Sequence, residues 1–202
     1  MGFWFNSVMP EFCPLAMAFS DQPILYAEIG TWKGNSAEWV CKNVLTHPES
    51  RGVGIDSYPA DFKRTQQFVD ENVKAHAMAR MKPWSDAGKW SWIFEKSQDA
   101  LRTWDRGGID VLYIDGSHLA HDVMMDFCFA WPHLRDGSLV IFDDFGIGQR
   151  RERKGLRHVP TACEAIARCF EPMIEVVNPG GRQYAVRVKN KLPLGVQPDQ
   201  AR

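Results

Sequence analysis

The sequence predicts an α/β fold, a Rossmann-like doubly wound sheet that is mostly parallel with an antiparallel last strand. Three observations lead there. Short β-rich apolar runs alternate with segments of helical period from about residue 22 to 188. Acids close several of those runs. Late in the chain, a PGG turn joins MIEVV to RQYAVRV as a hairpin.

Each element follows in order. Ile24 to Ile29 is a first strand, and the next helix starts near Asn35 or Ser36. Ala37, Val40, Cys41, Val44 and Leu45 recur on one face of that helix, and Pro48 ends it. RGVGID forms a second strand to Asp56, and a long helix from about Asp61 turns Phe62, Val69 and Val73 inward. WSWIFE, residues 90 to 95, is a third strand, with a short helix at about 98 to 104. IDVLYID forms a fourth strand to Asp115, and the helix after it carries Leu119, Ala120, Val123, Met124, Phe127 and Trp131 on its core face. SLVIFDD is the fifth strand, after a turn at Asp136 and Gly137; a basic loop and a helix near 160 to 170 precede the hairpin.

One domain of residues 21 to 188 accounts for these patterns, with 1 to 20 an N-terminal extension and 189 to 202 a tail without a periodic face. The 202 residues are 45% hydrophobic, enough for a core, which excludes disorder and collagen-like structure. With 24 Lys and Arg against 25 Asp and Glu, there is no general electrostatic reason to bind nucleic acid or anionic lipid. Five cysteines without a CxxC pair fit a reducing cytoplasm. The apolar start lacks a positive leader and is interrupted by Pro10, Glu11 and Pro14, and no run approaches the roughly 20 residues of a membrane helix. The expectation is a soluble cytoplasmic protein with a small-molecule partner and no membrane partner; a homo-oligomer stays open.

Ligands of open α/β sheets bind beyond the carboxyl ends of the strands. Four strand ends here carry acids: Glu28 in EIGTWKG, Asp56 in GIDSY, Asp115 in YIDGSH, and Asp143 with Asp144 in IFDDF. Like charges crowded there repel, so a ligand or cation is implied. Gly30 and Gly34 permit a tight turn and close approach to backbone N–H groups at the helix start, although a plain βα turn explains them equally well. An acid at Asp56 can hold both hydroxyls of a ribose or can simply form a turn.

In this order, AEIGTWKGNSA, GVGIDSY, KSQDAL, YIDGSH, LVIFDDF and RQYAVRV resemble the class I S-adenosylmethionine-dependent methyltransferases, in the branch of macrocin and sugar O-methyltransferases. Trp32 departs from the wider class, which commonly has a glycine there. The resemblance implies that Glu28, Gly30 and Gly34 shape the methionine end of the cofactor site, that Asp56 holds the ribose, and that Ser97 and Gln98 lie near the adenine. Thr31, Ser36, Ser57 and Asp115 complete the expected cofactor-binding set. Ser97 also suits the N-cap of the following helix.

Asp115, Asp143 and Asp144 resemble the three-carboxylate magnesium site of metal-dependent relatives. A hard divalent cation prefers oxygen ligands and would lower the pKa of an acceptor hydroxyl. Neighbouring strand residues point to opposite faces, so Asp143 and Asp144 can share an ion only where the chain bends; otherwise one caps a turn and the other is solvated. His118 is the candidate base, together with Asp115, since a neutral imidazole can take a proton near physiological pH. His121 and Asp122 read as exposed helix residues, while His158 opens a helix after the acidic pair. QRRERKGLRH, residues 149 to 158, is a solvated loop or a lid over an anionic acceptor.

The function implied is methyl transfer from S-adenosylmethionine, with magnesium-assisted O-methylation of a small hydroxylated acceptor, sugar-like or phenolic. Two alternatives stand beside it. A nicotinamide-dependent oxidoreductase should carry GxGxxG and a Tyr and Lys pair, neither of which is evident; a non-catalytic cofactor-binding module would keep the pocket alone.

Overall fold

In the computed structural model, residues 3–58, 73–152 and 157–191 are described. The strands are β1 (Leu25–Ile29), β2 (Arg51–Ile55), β3 (Trp90–Ile93), β4 (Ile109–Ile114), β5 (Leu134–Phe142), β6 (Ile174–Asn178) and β7 (Tyr184–Val188). The helices are α1 (Phe3–Met17), α2 (Asn35–Asn43), α3 (Val73–Asp86), α4 (Ser97–Arg102), α5 (Ala120–Ala130), α6 (Phe145–Glu152) and α7 (Val159–Cys169). Among the described residues the strands form one sheet in the order β3-β2-β1-β4-β5-β7-β6. The first five pair in parallel, and β7 runs antiparallel to both β5 and β6, as expected from the sequence.

Helices on both faces demand strands that are apolar on both faces. Alternate residues therefore divide between two cores. Ala27, Ile29, Leu112, Ile114, Val140 and Phe142 meet α4, α5 and α7 through Leu101, Val123, Phe127 and Ile166. Tyr26, Val111, Tyr113, Leu139 and Ile141 face the other way, toward Phe12, Val40 and Met81 of α1, α2 and α3.

Several expectations need correction. Residues 1 to 20 are more than an extension, because α1 buries Val8, Phe12 and Ala16 in the second core, with the Phe12 ring 4.8 Å from that of Tyr113. Pro10 and Pro14 lie inside this helix. The predicted start of the third helix, with Asp61, Phe62 and Val69, lies outside the described residues; within them, Ala77 and Met81 carry the buried face of α3. β3 stops at Ile93, and β5 begins before the turn, at Leu134. The supposed loop at 149 to 158 begins as the end of α6, and its residues 153–156 lie outside the description. Among the described residues no helix is long and apolar enough to cross a membrane.

From β1 the strand order runs outward one way through β2 and β3, and from β4 the other way through β5. A crevice opens at such a reversal, beyond the carboxyl ends of the strands. Asp56, Asp115 and Asp143 continue their strands by one residue each, donating backbone N–H to Ile93, Ile29 and Ile114 at 3.1, 2.9 and 3.0 Å. The acids thus share one edge of the sheet.

Candidate active site

Between β1 and α2, three left-handed residues alternate: Gly30 (φ 85), Trp32 (φ 46) and Gly34 (φ 74). A Cβ on Gly30 would stand 2.3 Å from the Asp115 carbonyl oxygen, so the close approach of the two loops also requires glycine. Trp32 holds the same hand without that freedom, which explains why a glycine suits this position. The turn aims its backbone at Asp56. Trp32 N–H donates to Asp56 Oδ2 at 3.1 Å, and Tyr58 N–H donates to Oδ1 at 2.9 Å. Thr31 Oγ1 lies 2.8 Å from the Tyr58 hydroxyl and 3.5 Å from Asp56 Oδ2. Burial pushes the Asp56 carboxyl up, while hydrogen bonds from the Tyr58, Trp32 and Thr31 backbone pull it back. Both oxygens keep capacity to accept ligand hydroxyls. Ser57 is exposed beside them.

Glu28 supports this loop from behind. It is fully buried, with Ser36 Oγ donating to Oε1 at 2.6 Å and the Tyr26 hydroxyl donating to Oε2 at 2.7 Å. Burial pushes its pKa up to about 7, against the pull of those two donors. Its role is to brace the start of α2.

Beyond β3, Ser97 opens α4, and it is Lys96 that occupies the N-cap position, with no side-chain cap. The Ser97 hydroxyl instead donates to Asp126 Oδ1 at 2.6 Å, and Gln98 Nε2 donates to the same oxygen at 2.8 Å. The capping expectation is therefore corrected: a buried acid on α5 takes that proton.

On the other side of the crevice the acids are crowded. Asp144 has φ 58, so the chain bends where a shared ion would need it to. The bend leads elsewhere. Asp144 Oδ2 lies 3.2 Å from His118 Nδ1, and Oδ1 lies 3.9 Å from the Arg182 guanidinium. Asp143 is buried and accepts from Gln183 Nε2 at 3.2 Å and from the Tyr113 hydroxyl. Asp115 Oδ1 is 4.0 Å from His118 Nε2. Among the described residues no group of three or more His, Cys, Asp or Glu is arranged to hold a metal ion. The three-carboxylate magnesium set Asp115, Asp143 and Asp144 is thus not assembled, because two of its members are turned to other partners. Desolvation and the charges of Asp143 and Asp144 hold the Asp115 carboxyl well above its usual range, with Arg182 opposing. Burial and Asp144 likewise raise Asp143.

Arg182 and Gln183 are held in turn by α1. Glu11 accepts from the Arg182 and Gln183 backbone N–H groups at 2.8 and 2.9 Å and from Asn178 Nδ2 at 3.3 Å. Of the remaining candidates, His121 is exposed, and Asp122 accepts from the Ser117 hydroxyl at 2.5 Å. His158 is buried at the start of α7, its backbone N–H donating to Glu152 Oε1 at 2.9 Å.

A family described as a methyltransferase domain matches residues 27–145, which contain every acid of this edge. The chain belongs to that family. Cofactor-bound Rv0187 from MTB shares the fold of this methyltransferase domain, with a TM-score of 0.64 and 18% identity over 95% of this chain and 82% of that one. TomG, an O-methyltransferase of Streptomyces achromogenes in complex with SAM, gives 0.60 and 19% over 87% and 77%. A Bacillus cereus O-methyltransferase in complex with SAH gives 0.64 and 15% over 93% and 82%. An uncharacterized protein of Acanthamoeba polyphaga mimivirus is 25% identical over 134 residues, or 65% of this chain and 56% of that protein, so the chain spans little more than half of that curated relative. The nicotinamide alternative gains nothing from this membership.

Sequence reasoning missed several residues of this methyltransferase domain. Tyr58, Asp126, Arg182, Gln183 and Glu11 were not singled out. One signal was available: Asp126 interrupts the apolar face of Val123, Phe127 and Ala130 on α5. Tyr58 adjoins Asp56, but nothing in the spacing of the other three reveals their contacts.

Proposed function

We propose that this methyltransferase domain transfers the methyl group of S-adenosylmethionine to a hydroxyl oxygen of a small acceptor, with His118 taking the acceptor's proton. The observation that carries this reading is the imidazole between two carboxylates at the strand reversal, opposite the pre-aligned Asp56. Nδ1 lies 3.2 Å from Asp144 Oδ2 and Nε2 lies 4.0 Å from Asp115 Oδ1, so carboxylates flank the ring on both sides and favour its protonated form. In the transfer, the acceptor oxygen bonds to the methyl carbon as the carbon–sulfur bond breaks. The electron pair passes to sulfur and neutralises the sulfonium, while the hydroxyl proton passes to the His118 imidazole. Asp144, 3.2 Å from the ring, stabilises the resulting imidazolium.

Asp56 would hold the ribose, and the turn at Gly30 to Gly34 would receive the methionine end beside the start of α2. The acidic surroundings favour a neutral hydroxylated acceptor over an anionic one. No step is routed through magnesium, because the carboxylates as arranged do not form its ligand set. The TomG and Bacillus cereus likenesses support oxygen as the methylated atom. The test supplies S-adenosylmethionine labelled on its methyl group with a panel of sugar-like and phenolic acceptors, with and without chelator. Label should appear as a methyl ether, with turnover unchanged by chelator. Turnover abolished by chelator would return the three carboxylates to a metal, and binding without transfer to any acceptor would favour the non-catalytic module.

A further inference from the structure

The turn that bears Gly30, Trp32 and Gly34 is strained at Trp32, and such backbone persists only where its neighbours over-determine it. Its three middle carbonyls show how. Thr31 O accepts from Gly34 N–H at 2.7 Å, Trp32 O from the Tyr58 hydroxyl at 2.9 Å, and Lys33 O from Arg80 Nε at 3.0 Å. The first bond is internal to the turn, the second comes from beyond β2, and the third comes from α3. Each fixes one peptide plane.

Arg80 has a second hold. Its Nη1 donates to Glu38 Oε2 at 2.8 Å, in the first turn of α2. Lys33 precedes Gly34 and Glu38 follows it, so one planar guanidinium spans the junction of turn and helix, where Gly34 as N-cap makes no side-chain cap. The rest of α3 closes on the same junction: a Cβ on Gly34 would stand 3.3 Å from Met81 Cγ and 3.7 Å from Ala77 Cα. The ion pair is partly solvated, with side chains 35% and 24% exposed, and such pairs add little to global stability. Its worth lies in direction. The first half of the turn is held otherwise, by Asp56 on Trp32 N–H and by Tyr58.

We propose that Arg80 is a positioning residue for the amino-acid end of the cofactor, splinting the second half of the turn, from Lys33 to the start of α2, in the form that receives it. This rests on the S-adenosylmethionine reading above and adds a residue of α3 that lies outside every motif of the resemblance. Without the splint, the turn shares its population with forms that cannot receive that end, and the apparent affinity falls by the fraction lost. The ribose side, aligned without Arg80, is spared.

The experiment measures two ligands by titration calorimetry: S-adenosylhomocysteine directly, and 5′-methylthioadenosine, which keeps the nucleoside but lacks the amino-acid end, by its displacement of the first. Arg80→Ala should weaken S-adenosylhomocysteine about tenfold and methylthioadenosine less than about twofold. The ligand-free melting temperature should stay within about 2 °C of wild type. Arg80→Lys keeps the charge without the planar fork, so it should recover only part of the loss, and it stands in should the alanine variant not fold. A merely structural Arg80 would weaken both ligands together. That result, no weakening of either, or full recovery by lysine overturns the inference. Wild type that binds S-adenosylhomocysteine but is not displaced by methylthioadenosine removes the ribose from Asp56, and the division of the turn falls with it. Wild type that binds neither compound overturns the S-adenosylmethionine reading itself, and this proposal with it.

Discussion

On the β1–β2 side of the crevice a single acid, Asp56, is met by the backbone N–H groups of Trp32 and Tyr58, at 3.1 and 2.9 Å. On the β4–β5 side three acids crowd together, and Asp144 faces the His118 ring at 3.2 Å and the Arg182 guanidinium at 3.9 Å. The first arrangement is built from fixed dipoles and changes little when a hydroxyl arrives. The second is built from titratable groups: burial with the charges of Asp143 and Asp144 raises Asp115, and burial with Asp144 raises Asp143. Under the proposed function this difference divides two tasks along one sheet edge: holding a ligand still, and accepting a proton.

The largest expected effect tests the crowded side. His118→Ala should lower turnover about 10²–10⁴-fold with the acceptor identified by the labelled-methyl screen, while S-adenosylhomocysteine affinity changes little. Equal losses in both would erase the division of tasks. On the ordered side, Asp56→Ala removes two charged acceptors worth about 1.5–3 kcal/mol each, so S-adenosylhomocysteine affinity should fall roughly a hundredfold or more by calorimetry. An unchanged affinity would move the ribose elsewhere.

A third prediction concerns the acid beneath the ordered loop. Burial pushes Glu28 up to about 7, from an ordinary value of 4.5. The folded state therefore retains a proton that the unfolded chain releases. The stability from this group is fully present below about 4.5 and is lost as pH rises through about 7, a difference of about 3 kcal/mol. Asp126, also raised to about 7, acts in the same direction. Urea unfolding from pH 5 to 8 should show Glu28→Gln flattening the decline by roughly half; a parallel curve would place the titrating group elsewhere. The smallest effect is backbone strain at Trp32. Trp32→Gly should leave stability within about 1 kcal/mol of wild type, whereas Trp32→Val should be less stable than the glycine variant by about 1–3 kcal/mol in the same assay. Equal stability of the two variants would deny that the left-handed conformation matters.

Much of the fold was legible because its signals are local. Period-two and helical apolar patterns located β1 to β7 and most helices, and a strand's last residue marks the ligand edge wherever the sheet is parallel. The role of α1 was not, since two prolines interrupt the helical signal of its apolar residues. The place of Asp56 at a strand end was readable, but not the backbone N–H groups of Trp32 and Tyr58 that meet it. The acidic pair was readable as chemistry but not as geometry: one torsion, φ at Asp144, and two neighbours from β7 and its preceding turn decide where those carboxylates point. Asp126 marred an otherwise apolar face, yet only its contact with α4 gives that blemish a meaning. Glu11 acts across more than 160 residues of chain, and no spacing rule reaches that far.

The hold of Glu11 on the turn before β7 has a consequence for the order in which the protein can become competent. The first helix leaves the ribosome well before the backbone groups it must grasp, at Arg182 and Gln183, which follow Glu11 by 171 and 172 residues. Until they arrive, the acidic pair lacks its guanidinium and amide neighbours, and the carboxylate of Glu11 lacks the two backbone donors it meets in the fold. A chain halted before Arg182 therefore carries the acids and the imidazole without the guanidinium that lies 3.9 Å from Asp144 and the amide that donates to Asp143.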